Sequence, residues 1–574
     1  GPDWVGLRAS LEGVSNASTT PEAPPDDLLD NLEAAIVGLR GLGAMESLWQ
    51  NGALVDLLEQ GARDLADWES RSRAAVLDPT RTTPTNLLER WNSLWVRCRD
   101  LAWTLERDVL GCLDRVRALL PENLTRDERA RYEAWKIAAV LENIGRLEVR
   151  GRDSLGISTL VAFQDADSYR RFQESLRPAG LGSEWSERSS GRDLLNRAIR
   201  VDEVSSRPSL LFSYKVAEEV GALGDNVHAL RQELRADDLM WAAFAAPGTT
   251  TNTWSHTRWA SNGIISQANC HPVDEETLND PASRSNGPWI TAALNGDVDN
   301  YQELVAHLER ETGRRISPRI TTDAKIIPVM VDHYRRQMGD LGAAFRRAVA
   351  EFEGSTAIVM HSSLEPDRVY LALRGSGQSM FVGLCQGGYT FASELYGVVE
   401  QTSRFLRMDG TTERVPGQPE TAGQILVLDR KASGLLEGIE AWSVDGHRLE
   451  LQESDVRVAE ITTRDINRGQ HEHFLLKEIF DAPESVAKTL QGKFILPAQG
   501  QDDEVTVNLG PEVFPTPLVE KVKALKIRRI LLIGQGTAAV AGAAVCSMME
   551  RSLSGAGIEI RAVKATELSG YAME

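Results

Sequence analysis

The densest run of residues able to do chemistry is Trp254-Ser-His-Thr-Arg-Trp-Ala260, which continues through Ser261-Asn-Gly263 to Asn269-Cys-His-Pro272. Taken alone, an arginine between two indoles is either a ligand-binding cation or a surface cation–π pair. His271 reads equally well as pocket support or as a satisfied core histidine. Arg150-Gly-Arg-Asp-Ser-Leu-Gly156 precedes this run. Leu294-Asn-Gly296, Thr322-Asp323, Leu373-Arg-Gly-Ser376 and Phe391-Ala-Ser-Glu394 follow it. Near the end, Gly534-Gln-Gly-Thr537 comes after an apolar run. A lone Gly-x-Gly there suits a phosphate, a nucleotide or a plain tight turn. The five cysteines have no regular spacing, which argues against a disulfide framework and against a paired-cysteine zinc site. Cys98, Cys112, Cys385 and Cys546 read as core. Cys270 lies beside His271, but nothing nearby supplies the base that a nucleophilic thiol needs.

These residues need elements to hold them. A chain of 574 residues suits about three or four domains. Apolar residues make up 42% and charged residues 25%, an ordinary globular balance. The net charge of −20 disfavours nucleic acid and anionic membrane as partners. The run Thr537 to Met549 is too short to span a bilayer, and no charged-then-apolar leader opens the sequence. A soluble cytoplasmic protein is the expectation. Gly1-Pro2 reads as the scar of a cleaved tag, and Asn16 to Asp27 as a linker. Leu28 to Val149 reads as a helical bundle, with Leu87, Leu88, Trp91, Trp95, Cys98 and Trp103 near helical spacing. Thr125 and Glu128 fit a capping box opening its last helix. Beyond Val149, short strands are expected at Ile157–Val161, Thr356–Met360, Val369–Leu373 and Tyr389–Ala392. Helices are expected around Tyr214–Leu234, Tyr301–Thr312 and Gly342–Glu353. The final block reads as helix His473–Leu490, strand Ile527–Ile533, a small-residue helix and strand Glu559–Val563. The fold class is therefore mixed α/β or α+β.

In order and rough spacing, the motifs from Arg150 to Glu394 resemble the glutaminase domain of class II glutamine amidotransferases. His473-Phe-Leu-Leu-Lys-Glu-Ile-Phe-Asp-Ala-Pro483 resembles the start of the isomerase half of the glucosamine-6-phosphate synthase family. The resemblance covers about Arg150 to Glu574. It implies a four-layer αββα fold of the N-terminal-nucleophile hydrolase type with a helical insertion, followed by a partial α/β sugar isomerase (SIS) domain. Glutaminase residues would be 1–27 and 150–430, with a second insertion near 165–209. The inserted helical module would be 28–149, and 431–574 would be a linker and the first part of the isomerase domain. The resemblance implies that Arg258 clamps the α-carboxylate of glutamine and Asp323 pairs with its α-ammonium. Asn295 and Gly296 would form the oxyanion hole. Trp259 would wall the pocket and His271 would support it. Gly536, Thr537 and Glu567 would hold a sugar phosphate, with fructose 6-phosphate as ammonia acceptor and glucosamine 6-phosphate as product. No cofactor and no metal are implied, and a homodimer or higher homo-oligomer is.

The sequence departs from the family in several places. The family's nucleophile is an N-terminal cysteine whose own amine is the base. Here the chain opens Gly-Pro-Asp-Trp-Val-Gly, and Val5-Gly6 aligns with the pair closing the family's first strand. The 574-residue chain is accordingly expected to be inactive as a glutaminase. Ser261-Asn262 stands where the family has Thr-His, and Lys325 where it has Glu. The turn Gln535-Gly-Thr-Ala538 lacks one hydroxyl of the family's Cys-Gly-Thr-Ser, and the second phosphate motif is absent. A catalytically inactive glutaminase-like scaffold or sugar-phosphate sensor is the alternative reading.

Overall fold

The computed structural model describes residues 2–17, 19, 26–77, 85–191, 193–217, 224–259, 264–280, 286–418, 421–490, 494–495, 506–507 and 515–566. The chain forms two compact units, Gly1–Asn467 and Arg468–Glu574.

The first unit opens with helices α1 (Trp4–Ser15), α2 (Asp30–Val37), α3 (Leu42–Gln50), α4 (Gly52–Val76), α5 (Thr85–Trp103) and α6 (Gly111–Leu119). A π-helical segment, Thr104–Leu110, joins the last two. Apolar residues at helical spacing gather here into one cluster, with Leu7, Leu11, Leu58, Leu65, Trp68 and Trp91 buried in it. The expected strand end at Val5-Gly6 is not formed. Those residues lie in α1, because Leu7, Leu11 and Val14 bury one helical face. Helix α7 (Glu128–Leu147) is capped by Asp127, which accepts from Ala130 N at 2.9 Å, and not by Thr125. Thr125 instead ends the preceding 3₁₀ turn.

A four-stranded antiparallel sheet comes next, in the order β2-β3-β1-β4. Its strands are β1 (Ser154–Ala162), β2 (Ile199–Asp202), β3 (Ser209–Val216) and β4 (Thr250–Arg258). Leu155, Ile157 and Val161 of β1 pack against α7, α8 (Ala166–Leu176), α10 (Asp225–Arg235) and α11 (Asp238–Ala245). Helix α9 (Gly182–Ser189) borders them. The helix expected from Tyr214 starts only at Asp225. Residues 209–216 are a strand buried at every position, Ser209, Ser213 and Lys215 included, so its polar residues do not mark a solvated face.

The larger sheet has seven strands, in the order β14-β13-β12-β8-β7-β6-β5. They are β5 (Val273–Asp274), β6 (Ile290–Gly296), β7 (Thr356–Ser362), β8 (Arg368–Arg374), β12 (Gln424–Asp429), β13 (Ile439–Ser443) and β14 (Arg448–Leu449). Alternation along its strands splits them between two cores. Ile290, Ala292 and Leu294 face α12 (Tyr301–Thr312), α13 (Ile326–Met338) and α14 (Leu341–Glu351). Ala293, Ala357, Val359 and Leu371 face inward, with Trp254 of β4. A third small sheet, β10-β9-β11-β15, shares that inner core. Its strands are β9 (Phe381–Cys385), β10 (Gly388–Ala392), β11 (Arg404–Arg407) and β15 (Arg457–Val458). Ser158 of the first sheet reaches His361 Nε2 of the second at 2.7 Å. Helices, sheet, sheet, helices is the αββα layering.

The second unit holds α15 (Phe474–Leu490), the short pair β16 (Phe494–Ile495) and β17 (Thr506–Val507), and α16 (Thr516–Lys523). Strand β18 (Arg529–Gly534), helix α17 (Thr537–Ser552) and strand β19 (Glu559–Lys564) complete it. β18 and β19 pair in parallel, as a strand–helix–strand unit requires.

Candidate functional site

Three glycines let the backbone approach the chemistry-bearing residues. At Gly151 a Cβ would lie 2.9 Å from the backbone N and C of Arg258. At Gly156 it would collide with the His271 carbonyl oxygen. Gly296 has φ +116°, and a Cβ there would collide with the Ser355 carbonyl oxygen. The glycines of two sequence motifs thus lock Arg258, His271 and the Asn295–Gly296 corner in place.

The remaining motif residues act as braces. Asn269 Oδ1 accepts from Thr321 N at 2.6 Å and Thr322 N at 3.0 Å, which fixes the approach to Asp323. Asp323 accepts from Val298 N at 2.8 Å and Ala324 N at 3.0 Å. Arg374 closes the end of α14, donating to Phe352 O at 2.8 Å and Ala350 O at 3.0 Å. Gly377 N then reaches Ser355 Oγ at 2.9 Å beside the Gly296 corner.

Arg258, Trp259, His271, Asn295, Gly296 and Asp323 all line one cavity of about 760 Å³. Trp254, His256 and Arg258 alternate onto the face of β4 between the sheets. Asn295 continues the inward face of Ala293. Burial pulls the Arg258 guanidinium below its ordinary value, and Asp323 among others opposes that shift. Burial, with Asp297 nearby, pushes the Asp323 carboxyl up. His271 is held well below its ordinary value by burial and by His256, whose ring centroid is 4.3 Å away. A neutral His271 therefore supports the Leu294 backbone N–H through Nδ1 at 3.4 Å. Trp259 borders the cavity but is 74% exposed.

No cysteine lines the cavity among the described residues. Cys270 is buried, its thiol pushed up by burial, and it donates to its neighbour's carbonyl at 3.4 Å. Lys325 turns away into a buried ion pair with Asp274 at 2.6 Å, which Arg200 also contacts at 2.6 Å. Ser261 and Asn262 lie outside the described residues, as does Glu567. Gly536 (φ +58°) caps α17 and Thr537 opens it, both exposed, in the second unit. Sequence reasoning missed Asn143 and Leu147 of α7, and Gln378. The helical spacing of α7 reads as core in a sequence, and nothing marks Gln378.

Among the described residues no cluster of three metal-ligating side chains occurs. No helix among them is long and apolar enough to cross a membrane. No protein-family model matches the chain. It is 28% identical over 237 residues to the glutamine–fructose-6-phosphate aminotransferase (isomerizing) of Acidithiobacillus ferridurans, which covers 41% of this chain and 33% of that protein. With the Pseudomonas aeruginosa protein of the same name it shares 26% over 288 residues, 50% of this chain and 39% of the relative. The chain resembles glutamine–fructose-6-phosphate aminotransferases. It spans between 33% and 39% of the length of these two relatives. A Methanothermobacter thermautotrophicus relative matches at 28% over 236 residues. The solved glutamine phosphoribosylpyrophosphate amidotransferase of B. subtilis covers 74% of this chain and 77% of its own, at TM-score 0.34 and 12% identity.

Proposed function

We propose that the first unit binds glutamine and that the whole protein is a glutamine-dependent sugar-phosphate aminotransferase. The convergence of six motif residues on one cavity carries this reading. Arg258 takes the α-carboxylate as a bidentate partner, and Asp323 takes the α-ammonium. The Asn295 side chain and Gly296 N–H stabilise the oxyanion that forms when the side-chain amide is attacked; such a donor contributes roughly 10²–10³ in rate. Ammonia then passes to fructose 6-phosphate, the substrate in the relatives' name, giving glucosamine 6-phosphate. Gly536 and Thr537, with Glu567, hold the sugar phosphate in the second unit. In this reading residues 150–430 belong to the glutaminase domain, 28–149 form an inserted helical module that α1 joins, and 431–574 lead into the isomerase domain. The protein works in the cytoplasm as a homodimer or higher homo-oligomer.

A second reading, a glutaminase-like scaffold without turnover, is favoured by the lack of a cavity cysteine among the described residues. Calorimetric titration with L-glutamine tests the binding that both readings share. Arg258→Lys is expected to weaken it about 10- to 100-fold, because the bidentate fork is lost while the charge stays. Unchanged affinity sinks both. Glutamate release, measured with and without fructose 6-phosphate, separates them.

A further inference from the structure

A second polar group lies between the sheets and shares no lining residue with the 760 Å³ cavity. It begins on β3. Alternation sends Phe212, Tyr214 and Val216 into the core behind the first sheet. Leu211, Ser213 and Lys215 therefore point into the layer between the sheets, where Leu211 meets Trp289. Lys215 is 1% exposed, so its ammonium has given up its water. Val273 and Asp274 of β5 approach it from the larger sheet, as does Lys325 just before α13.

The charges in this layer do not cancel. Both oxygens of Asp274 are taken: Oδ1 accepts from Lys325 Nζ at 2.6 Å, and Oδ2 from Arg200 at 2.6 Å. Against burial, those two cations hold its carboxyl well below its ordinary value. Glu275, next in sequence, is pushed up to about 8 by burial and then by Asp274, so it carries a proton near neutral pH. Cys270 is no counter-ion either, because burial pushes its thiol up. The Lys215 backbone N–H donates to Asn196 at 2.9 Å, but its ammonium makes no hydrogen bond or ion pair among the described residues. Burial pulls that ammonium down to about 8, and Cys270 and Asp274 oppose the shift, so it stays mostly charged at neutral pH. Beside it is a cavity of about 10 Å³, lined among others by Lys215, Lys325 and Arg319. That is room for roughly one guest the size of a water molecule. Arg319 and its ion-pair partner Asp193, which also lines the cavity, are solvent-exposed and give it a mouth. A water there would satisfy an N–H of Lys215 but leave its charge unbalanced, whereas a small anion does both.

We propose that this cavity binds one small monovalent inorganic anion, chloride in solution, held by Lys215 and Lys325 with Arg319 at its mouth. The anion completes the charge balance between the two sheets. This does not depend on which ligand Arg258 and Asp323 hold.

The test uses crystals of the 574-residue chain soaked in sodium bromide, with anomalous diffraction to locate the heavier halide. A bromide peak beside Lys215 Nζ is expected. In solution, sodium chloride is expected to raise Tm by about 1–2 °C over sodium gluconate at equal ionic strength, since gluconate is too large for the cavity. Lys215→Met keeps the length of the side chain without its charge, and is expected to lose both the peak and the chloride response. A cavity without bromide, or one holding only water, overturns the proposal. So does a peak that survives Lys215→Met, or an equal chloride response in the two chains. Should that variant not fold, the bromide map and the chloride response of the unaltered chain decide alone, and absence of either overturns the proposal.

Discussion

Glycines stand next to chemistry-bearing residues in both units, and they are constrained in different ways. Around Arg258, His271 and Asn295, the glycines are demanded by neighbouring backbone that leaves no space for a Cβ. At Gly536 a Cβ would meet nothing within 4 Å and the constraint is only its own φ, although at Gly534 of the same turn a Cβ would meet the Ala538 backbone at 2.7 Å. The surroundings differ in the same sense. The first unit holds extended buried cores on both sides of its larger sheet. In the second, Cys546 and Ile560 are the buried apolar residues among those described, while Val540 and Met548 of α17 stand exposed. The lesson is that one kind of motif can be fixed by packing or merely permitted by conformation. At Gly536 itself, packing does not enforce the residue type.

Charge substitutions should separate the units most strongly. Lys325→Met leaves Asp274 buried with one cation fewer, and is expected to cost about 3–5 kcal/mol in denaturant unfolding. Arg529→Met, which breaks the exposed Arg529–Glu559 pair, should stay within about 0.5 kcal/mol. Similar costs for both would erase the contrast. The glycines give the next test. Gly156→Ala drives a methyl into the His271 carbonyl and should cost about 3 kcal/mol or more, with loss of glutamine binding. Gly536→Ala is strained only through its own φ and should cost about 1–3 kcal/mol, read from the unfolding of the second unit.

A smaller effect concerns pH. Burial, and then Glu400, push the Asp108 carboxyl up to about 7; Arg40 and Arg146 pull it the other way, and Thr463 donates to it at 2.7 Å. A carboxyl raised in the folded state binds its proton more tightly there than when unfolded. The stability it gives is full below its ordinary value near 4 and is lost as pH rises through about 7. Tm should therefore fall between about pH 4 and 7, by at most about 1.4 kcal/mol per pH unit in stability. Asp108→Asn should flatten that slope; an unaltered slope would assign it to other groups.

The sequence made the strands around the site legible where apolar residues alternate or stop at glycines. Ser154–Ala162, Thr356–Ser362 and Arg368–Arg374 lie where the β-branched runs put them. Helix Tyr301–Thr312 was equally plain, since Gly313 in the left-handed region ends it. Strand 209–216 was hidden because both its faces are buried. The helix at Trp4–Ser15 was obscured by a two-residue likeness to a family strand. Long-range packing against α4 outweighed that local cue. The site residues stood out as separate motifs, but their braces did not. Asn269 acts across fifty residues on the stretch before Asp323, and Arg374 caps a helix more than twenty residues away. Such roles come from topology and leave no mark in spacing.

Anyone trimming the chain will meet α7 first. A version starting at Asp127 keeps the helix cap, so secondary structure alone would license the cut. Yet Trp135 packs against both the helical cluster and the core behind the first sheet. Arg131, nearly buried, pairs with Glu46 on α3. Removing the module would leave a bare indole and an orphaned guanidinium on the new surface. A soluble shortened protein would need both positions rewritten, with a small polar residue at each.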